Sequence, residues 1–188
     1  MTTRRALPLV IAAAALVALT GCSPAAPAPS TPSSTTPETP TPTPAETVPE
    51  ATCENTLTAD TLDNLAEAGW TFRQDEAPVV LGGVTIEGGI GCLWGDFSTG
   101  NDNVAWFLWG PLDDASAQAA IDGLLAEGTW RREDQPEGVY ITDKAGSDSL
   151  LYDDEGYSTT YLFADGQVKG STTKAGISVV TAPEGFAP

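Results

Sequence analysis

The sequence predicts an α+β domain, an antiparallel sheet with two helices packed on one face, preceded by a cleaved signal and a disordered stalk. Three observations lead there. Short β-prone runs succeed one another between turn signals such as Gln135-Pro136-Glu137-Gly138 and Ala164-Asp165-Gly166, and strands so closely spaced pair as antiparallel neighbours. The two helical patterns stand beside those runs instead of alternating with them, which sets the chain apart from a doubly wound parallel sheet with a dinucleotide crevice. All five Trp and all four Tyr lie after residue 69, so core-forming material is confined to the C-terminal part of the 188 residues.

Residues 1–21 read as an export signal. Arg4 and Arg5 make a basic start, Leu7 to Leu19 are apolar and rich in Ala, and small residues close the segment. Thr3 before the arginine pair and Ala6-Leu7-Pro8 after it depart from the usual twin-arginine context, which favours the general secretory route. Leu19-Thr20-Gly21-Cys22 resembles the lipobox of bacterial lipoproteins. That resemblance implies a diacylglyceryl group on the Cys22 sulfur, cleavage just before Cys22, and acylation of the new N-terminus by a chain such as palmitate. One acyl chain binds a membrane only reversibly, whereas two or more hold stably. The resemblance therefore places the protein on the outer face of the cytoplasmic membrane, with membrane lipid as its first partner; the plainer alternative is a secretory signal that happens to end near a Cys.

The stalk covers 22–50. Of residues 23–50, 20 of 28 are Pro, Thr or Ser, a composition from which no core can be built. Pro-rich chain favours the extended polyproline form, with a reach of roughly 90 Å for this length. Thr and Ser beside Pro also suit O-glycosylation. A single domain of ordinary size follows, from 51 to 188.

Assigning Cys22 to lipid leaves Cys53 and Cys92 as a disulfide pair in an oxidising exterior, tying the first helical region to an early strand. Leu57-Thr58 followed by Leu62 reads as a hydrophobic staple around a Thr N-cap, and Leu62, Leu65 and Ala66 form a short apolar stripe ended by Gly69. Val79 to Ile86, Gly89 to Phe97 and Val104 to Trp109 read as strands, the last two joined through Asp96 to Asn103. Pro111-Leu112-Asp113 opens a second helix carrying Ala117, Ala120, Ile121, Leu124 and Leu125, with Gly128 just past its end. Beyond it, Thr129 to Arg132, Gly138 to Thr142, Ser149 to Tyr152, Thr159 to Phe163 and Gln167 to Ser171 are expected strands.

The absence of His excludes Ser-His-Asp and Cys-His catalysis and His-ligated metals. Two Cys without His make no metal site, so neither metal nor cofactor is expected. Six basic residues against 23 acidic ones after position 50 leave the domain near −17, which argues against a nucleic-acid partner. Solubility of an exported acidic protein explains that charge, and a cationic partner would be steered in by it.

Alternation places Trp106 and Leu108 on one sheet face and Phe107 and Trp109 on the other, near Trp94. Both faces would then be apolar: core is the expectation, with one face under the helices and the other under loops, and an open aromatic platform the alternative. Ser171-Thr172-Thr173-Lys174 matches the S-x-x-K of penicillin-binding proteins and serine β-lactamases, but no K-T-G follows and only 14 residues remain. It reads as a chance match, and no catalytic residue is expected. Asp153-Asp154-Glu155, Asp113-Asp114 and Asp60 with Asp63 read as solvated acids, without a calcium-loop signature. Gly88-Gly89-Ile90-Gly91 lacks the Lys of a phosphate loop and reads as a bend before Cys92.

Taken whole, lipobox, Thr/Pro stalk and a domain with Cys92-Leu93-Trp94 resemble the small exported lipoproteins of high-GC Gram-positive bacteria, families mostly without assigned activity. The expected function is a monomeric, membrane-tethered, non-catalytic binding or interaction module, with an envelope protein or glycan as candidate partner. A small solute-binding lipoprotein serving a transporter and a carboxylate-dependent envelope hydrolase are the alternatives. A pocketless domain would favour the interaction module, an open pocket lined by Trp94 or Trp106 the solute binder, and a closed cleft with at least two facing carboxylates the hydrolase.

Overall fold

The chain is described in a computed structural model at residues 50–98, 100, 103–144, 152–153 and 156–187. Helix α1 (Ala59–Glu67) starts at Thr58, with Leu57 and Leu62 in one apolar cluster on either side of the cap. The Thr58 hydroxyl does not cap a backbone N–H; it bonds the Thr61 hydroxyl at 2.8 Å. Gly69 takes φ of 73°, a conformation that suits a residue without Cβ. It lets the Trp70 N–H reach the Leu65 carbonyl and its own N–H the Ala66 carbonyl, closing the helix in a Schellman turn.

The strands are β1 (Thr71–Gln74), β2 (Val80–Leu81), β3 (Val84–Thr85), β4 (Ile90–Gly95) and β5 (Val104–Pro111). After α2 (Asp114–Ala126) come β6 (Trp130–Gln135), β7 (Gly138–Asp143), β8 (Thr160–Ala164) and β9 (Gln167–Ser171), then a 3-10 turn (Ala175–Val179). Seven strands form one antiparallel sheet in the order β1-β4-β5-β9-β8-β7-β6. The α+β class read from the sequence is the class observed.

Three details differ from the expectation. The run from Val79 to Ile86 is not a strand of the sheet but a separate hairpin of β2 and β3, turned at Gly82 and Gly83. Strand β1 forms an unanticipated edge, pairing Phe72 with Trp94. Pro111 ends β5 instead of opening α2, whose N-cap is Asp113. The strand expected over 149–152 falls mostly on residues outside those described.

The helices lie on opposite faces of the sheet, which corrects the expectation of one shared face. Ala120, Ile121 and Leu124 of α2 cluster with Leu108, Ile141, Tyr161, Phe163 and Val168. Leu62 and Leu65 of α1 cluster instead with Ile90, Cys92, Trp94, Phe107 and Trp109. Leu108 and Trp109 are neighbours in β5 and point to opposite faces, and both are buried, Trp109 completely. A sheet centre that is apolar on both sides needs a cover on both sides, and each helix supplies one. Helix α2 comes very close to the β2–β3 turn: a methyl group added at Gly123 would run into the Gly82 carbonyl.

The two faces are covered unequally. On the face of α1, the β1-β4-β5 end lies under α1 and under the C-terminal segment, whose Val180 bridges Leu57 and whose Phe186 ring meets Trp109 edge-on at 5.2 Å. Toward β9, β8 and β7 the 3-10 turn takes over, seating Ile177 against Tyr140 and Leu162. A cleft remains beside it.

Candidate functional site

The S-x-x-K match does not form a serine-lysine pair. Ser171 ends β9 with its side chain buried at 2 % exposure, its hydroxyl against the Gly176 backbone. The Lys174 ammonium is committed elsewhere: it donates to Glu133 Oε2 at 2.9 Å and lies over the rings of Tyr157 and Tyr140, 4.2 and 4.8 Å from their centroids. Glu133 also accepts from the Tyr157 hydroxyl at 3.2 Å, and the Arg131 guanidinium stacks on Tyr157 at 4.4 Å. Burial tends to lower the pKa of Lys174, but the hydrogen bond and charge of Glu133 outweigh it and raise the value above the usual one. That is the wrong direction for a lysine meant to act as a base. Burial likewise works to raise the pKa of Glu133, yet Lys174, Tyr157 and Arg131 together hold it below the ordinary carboxyl range.

This pair makes a pH prediction with a definite sign. A carboxylate depressed in the fold stabilises it above the unfolded pKa, near 4.3, and that contribution is lost as pH falls through the lower folded value. A lysine raised in the fold stabilises it below about 10.4, and loses the contribution as pH rises through the folded value. The contribution is therefore full between about pH 5 and 10. Glu133→Gln should lower the melting temperature across that window, with the gap to the unaltered protein closing as pH drops below about 4. Thermal melts from pH 3 to 8 measure it; a gap that stays constant with pH would refute the pairing.

Beside the pair lies a cleft of about 660 Å3 lined by Tyr140, Asp153, Leu162, Lys169, Lys174 and the 3-10 turn. Buried Tyr140, Leu162 and Ile177 give it apolar walls. Lys169 comes from the centre of β9, opposite Trp109 on one side and Leu162 on the other, and alternation sends Val168 to the α2 face and Lys169 to this one. Desolvation pushes the pKa of Lys169 down, against a weaker opposing influence of Asp165.

A second recess, of about 430 Å3, opens between α1 and the sheet edge, lined by Leu62, Ala66, Trp70, Phe72 and Trp94. Phe72 and Trp94 pack with centroids 5.1 Å apart, and the buried Trp94 Nε1 has no hydrogen-bond partner. Glu54 and Asp63 also border it, both contributed by the N-terminal segment and α1.

Of the residues singled out in the sequence, Cys53 and Cys92 are joined in a disulfide, and Cys22 lies outside the described residues. Trp94, Phe107 and Trp109 are core, and Trp106 packs half-buried against the α2-face cluster, edge-on to Tyr161 at 6.1 Å. Asp113 caps α2: its Oδ1 accepts the N–H groups of Ser116 and Ala115, both at 2.9 Å, its Oδ2 accepts the Ser116 hydroxyl at 2.8 Å, and these bonds, those from Ser116 foremost, keep its carboxyl below the usual range. Asp154 and Glu155 fall outside the described residues. Among the described residues, no group of three His, Cys, Asp or Glu side chains is placed to hold a metal ion, and no helix is long and apolar enough to cross a membrane. Lys169 was not singled out, because its importance depends on β5 pairing with β9, which brings together residues far apart in the chain. No protein-family model matches the chain, no curated protein matches it, and no solved structure matches its fold.

Proposed function

We propose that the chain is a membrane-tethered extracytoplasmic lipoprotein whose domain is a non-catalytic binding module, holding a small molecule in the cleft beside the 3-10 turn. The observation that carries this is the cleft itself, which speaks for binding of a small molecule and against a pocketless interaction module: at about 660 Å3 it falls within the range of small-molecule sites, and it combines apolar walls with a few polar groups. The lipobox resemblance of Leu19 to Cys22 supports the tether, and the Pro/Thr stalk would hold the module off the membrane.

Solute capture for a transporter is the second reading, favoured by the open recess lined by Trp94. Filling each recess separates the two. Ala175→Trp puts an indole into the cleft from an exposed position on the 3-10 turn, and Ala66→Trp does the same from α1. Native mass spectrometry of the full chain purified from its own membrane should show a small bound mass that Ala175→Trp loses and Ala66→Trp keeps. The reverse pattern would move the function to the Trp94 recess. A bound mass that survives both would overturn the cleft as the site.

A further inference from the structure

We propose that the ligand of this cleft is a singly charged organic anion with an apolar body, of the medium-chain carboxylate class, and that Lys169 is the group that pairs with its charge; this rests on the reading of the cleft as the binding site.

Burial makes Lys169 conspicuous. Of the six basic residues after position 50, Arg73 and Lys144 also lie outside the ion pairs, but both are exposed to water. The ion pairs among the described residues use Arg131, Arg132 and Lys174. Lys169 is half-buried yet in none of them, and Asp165 acts on it only through its field. A charged group withdrawn from water without a partner is unfavourable, and an incoming anion relieves that cost.

The surroundings define the rest of the ligand. Lys169 and Leu162 line both the main cleft and an adjoining recess of about 200 Å3, which Glu137 and Asp165 also line, so the lysine borders both spaces. Tyr140, Leu162 and Ile177 offer carbon surface beside it, which suits an aliphatic or aromatic body and gives nothing to a bare inorganic ion. The other lysine of the cleft is already neutralised by Glu133. Asp153 also faces the cleft, with one carboxylate oxygen accepting the Tyr157 N–H at 2.8 Å, and it repels a second negative charge. Among the described residues, a lysine outside any ion pair, an apolar wall, and the nearby carboxyls of Asp153, Glu137 and Asp165 suit a monoanion better than a dianion.

Equilibrium dialysis tests this with the full-length lipidated protein in phosphatidylcholine nanodiscs, empty nanodiscs serving as reference, using octanoate, octanol and octylamine as probes. Octanoate should bind one per chain, at least about tenfold more tightly than octanol or octylamine, the margin expected of one charge-assisted contact. Lys169→Met should lose about tenfold in octanoate affinity and leave octanol unchanged, while Lys169→Arg keeps the preference for the anion. Equal binding of octanoate and octanol to the unaltered protein, or an octanoate preference that survives Lys169→Met, would overturn the role of Lys169 while leaving a cleft that binds. Should none of the three probes bind, or should Ala175→Trp leave octanoate binding untouched, the cleft as binding site falls together with the proposal.

Discussion

Cys22→Ala should release the protein into the medium or strand it as an uncleaved precursor, and in either case it should incorporate no labelled palmitate. The effect is expected to be close to all-or-none. Each buried methylene contributes about 0.8 kcal/mol to membrane association. A single myristoyl chain yields an association constant of only about 10⁴ M⁻¹, and a second chain converts reversible contact into lasting attachment. Both chains of the diacylglyceryl group would hang on the one sulfur, so removing it removes them together. The net charge of the folded domain does not compensate: at about −17 it would be repelled by an anionic membrane surface, a repulsion screened beyond about 8 Å at physiological salt. Fractionation into membrane and medium, with metabolic palmitate labelling, reads the result; an acylated, membrane-bound Cys22→Ala product would refute the anchor.

The domain's local structure was legible because local rules govern it. Gly69 and Gly128 follow the ends of α1 and α2 with positive φ, Asp113 caps α2, and Asp165-Gly166 turns β8 into β9. Each of these signals operates within a few residues. The parts that were missed depend on long-range pairing. Strand β1 is exposed along its whole length and carries no alternation of burial that a sequence pattern would reveal. The pairing of β5 with β9 sets Trp109 opposite Lys169 across a wide gap in sequence, and without that register the lysine looks like any solvated strand residue. Opposite helix placement was implicit in Trp106-Phe107-Leu108-Trp109, which is apolar on both faces. The choice of covers was not, since a loop serves as well as a helix in a sequence pattern. The S-x-x-K match failed for a related reason: Lys174 turns toward Glu133, on an edge strand that the tetrapeptide cannot indicate.

Replacing both Cys53 and Cys92 with Ala should cost the domain about 4 kcal/mol, the loop-closure value for cysteines 39 residues apart. Small domains have about 5–15 kcal/mol of total stability, so the loss is a large fraction of it. The position of the bridge argues for an effect of that size. Helix α1 has no fully buried residue and no basic residue in its last turn to favour its dipole, so its docking rests on Leu62 and Leu65 against the sheet and on the covalent tie at Cys53. Cys92 sits in β4 beside Phe107 of β5, next to the largest fully buried side chain on that face, Trp109. With the bridge gone, the segment from Glu50 to Trp70 is held by the Leu57–Val180 bridge and the flanking bonds Thr58 N–H to Val179 carbonyl and Thr181 N–H to Thr56 carbonyl. The C-terminal segment shares those bonds, so loosening one strip loosens the other and uncovers Trp109. Urea unfolding followed by tryptophan fluorescence measures the loss, and hydrogen exchange locates it: protection should fall first in α1 and in residues 179–182, with β7 and β8 unchanged. A double variant within about 1 kcal/mol of the parent would show that apolar packing alone docks α1, and that the bridge closes a loop already ordered in the unfolded chain.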